Sequence, residues 1–220
     1  MKSKSFLLPL SALTLLVFLV VSDVSATVIT FDDMTSTIVS NGVPILQTDA
    51  VITNGYQGLS WANLHTLNAP LDAKKFGTNG YYYGMVTVSN VAVNDFGNPA
   101  EVDSSGTNFN FLSAYLTGPW NSNLSIEVQG YGGITSLYDT TIVVSATSPT
   151  LFTFNYLGID RLTFNSFGGQ NAGFPPPGGG GTQFAMDNFT FEFVPEPSSF
   201  LLAAAGALLL CPLLKRKRVA

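Results

Sequence analysis

The feature that most narrows what this chain can fold into is a strict two-residue alternation. Leu124, Ile126 and Val128 alternate with Ser125, Glu127 and Gln129, and Phe152, Phe154 and Tyr156 with Leu151, Thr153 and Asn155. Phe189, Phe191 and Phe193 alternate with Asn188, Thr190 and Glu192. Period two with one apolar face marks half-buried antiparallel strands. Further strand candidates are 28–33, 58–64, 81–88, 108–116, 134–144 and 159–167, separated by Asn, Gly, Asp and Ser clusters such as Asn54-Gly55 and Asp103-Ser104-Ser105-Gly106. No stretch between them carries a helical period. About nine strands without intervening helices predict an all-β, two-sheet antiparallel sandwich. Of the seventeen phenylalanines, Phe6, Phe18 and Phe200 lie in apolar end segments, and the rest suit a core between two sheets. No internal repeat is found, and 168–181, with its Pro175-Pro176-Pro177 run before four glycines, reads as a mobile loop.

Both ends read as address labels. Lys2 and Lys4 precede the apolar run Phe6 to Val21, which leads to Val24-Ser25-Ala26. A basic head, an apolar middle and a small-residue site make a secretory signal peptide over 1–26, cleaved after Ala26. An uncleaved anchor helix is the alternative, opposed by Pro9 and by the Val-x-Ala site. At the other end, Pro195-Glu196-Pro197-Ser198-Ser199 is followed by an apolar run to Leu214 and by Lys215-Arg216-Lys217-Arg218. The prolines keep the junction extended. A helix over 198–214 would be about 26 Å long, a minimal membrane span. Its basic end would stay in the cytoplasm, leaving the preceding domain outside.

The intervening domain, 27–194, is long enough for a real core. It holds three basic residues (Lys74, Lys75 and Arg161) against twelve acidic ones, a net charge of −9. Such a surface repels polyanions, so nucleic acid is not an expected partner, whereas divalent cations are suited. The single cysteine, Cys211, lies in the C-terminal apolar run, so the domain has no disulfide.

The Pro-Glu-Pro signature, short apolar helix and basic cluster resemble the PEP-CTERM sorting signal of Gram-negative bacteria. That resemblance covers about 26 residues, from Val194 onward. It implies transient residence in the inner membrane and cleavage near Pro195-Glu196-Pro197 by a membrane protease of the exosortase type. Release or attachment at the cell surface would follow, in the setting of exopolysaccharide production. A sortase motif is absent, and glycolipid-anchor tails end apolar rather than basic. An ordinary one-span membrane protein is the alternative. The middle domain resembles galactose-binding-like jelly rolls through its opening Val28-Ile29-Thr30-Phe31-Asp32-Asp33 and its closing Phe184 to Phe191. That likeness implies neighbouring first and last strands, which often share a structural calcium ion.

Strand parity groups Asp33 with Ile29 and Phe31, and Asp187 with Phe189 and Phe191. Both carboxylates would then sit at the core-facing rim, where a Ca2+ ion would remove the cost of an unpaired charge. The alternative is that each aspartate begins a turn or ends a strand. Trp61, Tyr82 and Trp120, with Tyr81, Tyr83 and Tyr131, lie in or beside polar, Gly-rich stretches. Their rings could stack on sugars while Asn63, Asn121 and Asn123 supply hydrogen bonds, making an extracellular polysaccharide a candidate partner. Core or rim packing is the plainer role for such aromatics.

Catalytic signatures are sparse. His65, the one histidine, lies near no Gly-x-Ser-x-Gly motif, and no His/Cys cluster suits zinc. Glu101, Asp103 and Glu127 leave open a carboxylate-pair glycoside hydrolase. Asn123-Leu124-Ser125 and Asn188-Phe189-Thr190 would be glycosylation acceptors only in an appropriate host. The expected protein is an exported, non-enzymatic surface or matrix protein, with a polysaccharide-processing hydrolase as the alternative.

Overall fold

The computed structural model describes residues 25–34, 37–40, 43–46, 49–175 and 179–195. In chain order the strands are β1 (Thr27–Ile29), β2 (Thr37–Ser40), β3 (Val43–Leu46), β4 (Asp49–Val51), β5 (Ser60–Ala62) and β6 (Leu64–Asn68). Two helices follow, α1 (Ala69–Phe76) and α2 (Gly80–Gly84), then β7 (Asn90–Asn94), β8 (Ala100–Asp103) and β9 (Phe109–Thr117). The chain continues through β10 (Asn121–Ser122), β11 (Leu124–Gly132), β12 (Thr135–Val144) and β13 (Thr150–Ile159). It closes with β14 (Arg161–Phe167), β15 (Gln170–Asn171) and β16 (Ala185–Phe193).

These strands build a jelly-roll-like antiparallel sandwich. The larger sheet has the order β13-β9-β16-β7-β6-β4, with β1 also on β16; the smaller has the order β12-β11-β14-β8-β5. Of the inner faces assigned by alternation, Leu124, Ile126, Val128, Tyr156, Phe189 and Phe191 are buried, Phe152 and Phe154 are half-buried and Phe193 is exposed; Phe109, Phe111, Leu162 and Phe164 join the core between the sheets. Phe111 stacks on Phe189 and on Phe154, each at 4.8 Å. Aromatic pairs of this kind add about 0.5–1.5 kcal/mol beyond area burial.

The expectation of a domain without helices is corrected. Residues 81–88, read as a strand, form α2 and an irregular segment. The start signal of α1 was in the sequence: Asn68 Oδ1 accepts the N–H of Leu71 at 3.1 Å and Pro70 stands in the first turn. Lys74 and Lys75 follow in the last turn, and Gly77 (φ 97°) ends the helix. Both helices lie on the outer face of the larger sheet, where Leu67, Ala69, Tyr81, Val91, Val93 and Ala185 form a second core.

A bulge in β16 matters for the site. Met186 and Phe189 both point into the main core, which a straight strand forbids at that spacing; the register on β9 shifts between Asp187 and Thr190, and Asn188 has φ 50°. Before the bulge β16 pairs with β7, and after it with β1. Thr27 stands opposite Phe191, so the chain enters and leaves the sandwich at one pole. Ala185 stands opposite Thr117 at the other.

The signal segment 1–24, the motif residues Glu196 and Pro197, and the expected span 198–214 lie outside the described residues. Ala26, just before β1, and Pro195, just after β16, are both exposed. Among the described residues no helix is long and apolar enough to cross a membrane.

Candidate functional site

Two clefts adjoin at the pole where β16 begins. The first, about 410 Å³, lies between α1, the 118–120 turn and the 179–183 segment. Asn79, the N-cap of α2, organises it. Its Oδ1 accepts the Tyr81 N–H at 3.0 Å, and its Nδ2 donates to Asp72 Oδ2 at 2.9 Å. Trp120 meets Tyr81 edge-on at 5.7 Å, and its Nε1–H donates to the Tyr81 Oη at 3.1 Å. Close approach of α2 to the 118–120 turn depends on Gly80, where a Cβ would come 2.6 Å from Pro119 Cα. On the facing side Asn171 Nδ2 donates to the Gly179 carbonyl at 2.6 Å, holding Gly179 and Gly180 along the cleft wall.

Burial pushes the Asp72 carboxyl above its ordinary range, against the opposing pull of Asn79 and of Lys75. Burial also raises the Tyr81 phenol, which stays neutral and able to donate. Gln183 lines the same wall, and its Oε1 is buried with no protein donor. A buried acceptor left without a donor costs about 1–3 kcal/mol.

The second cleft, also about 410 Å³, shares Tyr81 and Gln183 with the first and adds Asp49, Val51, His65, Asp95 and Phe96. His65 Nδ1 lies 3.3 Å from Asp95 Oδ1, yet burial outweighs that carboxylate and lowers the imidazole below its usual value. Phe96 is 85% exposed with a left-handed backbone (φ 50°), a conformation that bulky residues rarely adopt. It is held there by the Asp95 N–H bond to the Asn63 carbonyl (2.9 Å) and the Asn98 N–H bond to the Asp95 carbonyl (2.8 Å). Among the described residues, no lysine or arginine lines either cleft, and no serine, threonine or cysteine stands there beside His65.

The sequence candidates divide sharply. Trp120 lines the first cleft. Tyr82 is half-exposed on α2, edge-on to Tyr83 and outside both linings. Trp61 is corrected: only 5% exposed, it is wedged between Phe31 and Phe189 with its Nε1–H bonded to the Tyr56 carbonyl, so no ligand can reach its face. Tyr131 is covered by the Arg161 guanidinium at 4.0 Å. Asn63 and Asn121 spend their amides on the Pro99 and Gly168 carbonyls. Asp72, Asn79, Gln183 and Phe96 were missed. The sequence held only one hint, the Asn and Pro that start the two helices.

Asp33 and Asp187 do not share a face, which corrects the parity reading. β1 stops at Ile29, the chain turns through Phe31 (φ 61°), and the exposed Asp33 accepts from the Tyr56 hydroxyl at 2.6 Å. Asp187 is fully buried ahead of the bulge. Its Oδ2 accepts the N–H groups of Val86 (2.8 Å) and Thr87 (2.9 Å), and its Oδ1 accepts its neighbour Asn188 N–H (2.7 Å) and the Thr87 hydroxyl (3.2 Å). Burial raises this carboxyl while the donors pull it back. A cation there would meet hydrogens on both oxygens, so the pair does not fit a shared calcium ion. Among the described residues, no three His, Cys, Asp or Glu side chains gather as a metal site.

The carboxylates considered for hydrolysis are engaged on the smaller sheet. Glu101 pairs with Arg161 at 3.3 Å, Asp103 accepts the Ser105 N–H at 2.5 Å, and Glu127 accepts from Asn165 at 3.4 Å.

No protein-family model matches this chain, and no curated protein does. Solved structures with some similarity include a DUF4465 family protein from Bacteroides ovatus (10% identity, TM-score 0.44, covering 78% of this chain and 100% of that one). Another is the K1 cleaved adhesin domain of Lys-gingipain from Porphyromonas gingivalis (8%, TM-score 0.40, 77% and 98%). A third is the module TmCBM61 in complex with β-1,4-galactotriose (9%, TM-score 0.31, 65% and 94%). At this level of similarity none of them assigns a ligand to this chain.

Proposed function

We propose that the chain is an exported, non-enzymatic surface or extracellular-matrix protein whose sandwich binds a glycan in the first cleft. The carrying observation is the corner formed by Trp120 and Tyr81 beside the Asp72 carboxyl. Aromatic rings offer an apolar platform for a sugar ring, and the carboxyl beside them can accept from its hydroxyl groups.

Placement of the ends supports the same reading. β16 runs from the cleft pole to Phe193, about 26 Å at 3.3 Å per residue, and the Pro195-Glu196-Pro197 junction follows. A tail anchored in the inner membrane, and later processed by an exosortase-type protease, would leave the clefts pointing away from the bilayer. The single test for binding is a glycan array probed with the mature protein. Retention on a neutral polysaccharide, lost in Trp120→Ala, is expected; no retention on any glycan overturns the proposal. Intact-mass analysis of the native product should show loss of residues 1–26 and cleavage near Pro195; a full-length mass overturns the sorting reading.

A further inference from the structure

We infer that the two clefts act as one groove for a linear glycan free of carboxylate and sulfate groups, with Phe96 as a second stacking platform. This rests on the glycan-binding reading above and goes beyond it in naming the ligand class and the far end of the site.

Two observations support the groove. Tyr81 and Gln183 line both clefts, so one wall is continuous. Phe96 presents its ring to solvent at the lip of the second cleft, from a strained backbone held by the Asn63 and Asn98 bonds. Strain of this kind costs about 1–3 kcal/mol and concentrates where a side chain must be aimed. An apolar ring kept in water by its own backbone has no packing role to justify that arrangement, whereas a sugar face stacked on it would cover it.

The lining decides the ligand's charge. Asp72 stands in the first cleft and Asp49 and Asp95 in the second, with no lysine or arginine among the described lining residues. A uronic-acid or sulfated chain would bring like charge into a partly desolvated groove. Hydroxyl-rich chains bring no such charge. Trp120 in one cleft and Phe96 in the other would then hold separate sugar units, so affinity should depend on chain length.

The test is calorimetric titration of the mature protein with size-graded oligosaccharides of cellulose, xylan and chitosan, and of alginate as the anionic series. Affinity should climb about tenfold from the disaccharide to the tetrasaccharide in a non-anionic series. Phe96→Ala should abolish that climb while leaving the disaccharide unchanged, and Phe96→Tyr should restore it. Because Phe96 is exposed, neither change should move the melting temperature. Binding that is independent of length, or a climb that survives in Phe96→Ala, overturns the groove but leaves the first cleft standing. Tighter binding of alginate overturns the charge assignment. Absence of binding in every series overturns the glycan reading itself, and the groove with it.

Discussion

Asp32 and Asp187 grip the same short segment from its two ends. Asp187 takes the N–H groups of Val86 and Thr87, and Asp32 takes those of Ser89 and Asn90. Segment 86–90 joins α2 to β7 across the gap where β16 passes from pairing with β7 to pairing with β1. It has no sheet partner there until β7 begins, so side-chain carboxylates replace the missing ladder. The two aspartates therefore fasten the helical cover, and with it the first cleft, to the sandwich.

Removing one end of this grip should be expensive. Asp187→Ala leaves the Val86 and Thr87 N–H groups without their acceptor and should lower the unfolding free energy by about 3 kcal/mol, whereas Asp187→Asn keeps an acceptor and should lose about half as much. Urea denaturation measures both. Calcium and chelator should leave the wild-type melting curve unchanged; a calcium-dependent rise would refute the donor-satisfied account of Asp187.

Gly80 should be intolerant of a side chain. In Gly80→Ala the new methyl would meet Pro119 backbone at 2.6 Å, forcing α2 away from the turn that carries Trp120. A loss of about 1–3 kcal/mol is expected, as for other overpacked sites. Glycan retention should fall as well, because the Tyr81–Trp120 corner opens; thermal melting and the array together check it.

Acidification should weaken the domain through His65. Its folded-state value lies below the ordinary 6.5, so the unfolded chain binds the proton first. Stability is then present above the unfolded value and falls as pH drops from about 7 toward the folded value. Asp72 and Asp187 act oppositely: with raised values, the native state takes up their protons before the unfolded chain does. Melting temperatures across this range should show the His65 decline, and His65→Gln should flatten it.

The two tryptophans should separate stability from binding. Trp61→Phe leaves a void and removes the bond from its ring N–H to the Tyr56 carbonyl, costing about 2 kcal/mol with glycan retention intact. Trp120→Phe removes the donor to Tyr81 and part of the ring platform, so retention should drop by about tenfold with a smaller stability change. Equal loss of binding in both variants would place the ligand elsewhere.

Much of the sandwich was legible because several of its long strands have one face turned to the opposite sheet. β9, β11 and β16 carry their phenylalanine, isoleucine and valine side chains at alternate positions toward the sheet opposite. β7 was not legible: all of Asn90–Asn94 is buried, with Val91 and Val93 under the helices and Ala92 in the main core, so no alternation survives. The short helices escaped for a related reason, since each spans too few turns for a period to show and relies on its asparagine cap. Parity failed at Asp33 and Asp187 because a left-handed turn and a bulge interrupt the count, and neither Phe31 nor Asn188 advertises such a backbone.

Residue order by itself determined most of the long sheet-forming segments, much of their inward faces and the acidic balance, because these depend on neighbours along the chain. Only the tertiary structure decided the site. Asp72, Asn79, Trp120 and Gln183 come from separate elements, and Trp61, which reads much like Trp120 along the chain, is enclosed by packing. Whether an aromatic ring meets solvent or another ring depends on the sheet crossing above it, and that contact is made by residues far away along the chain.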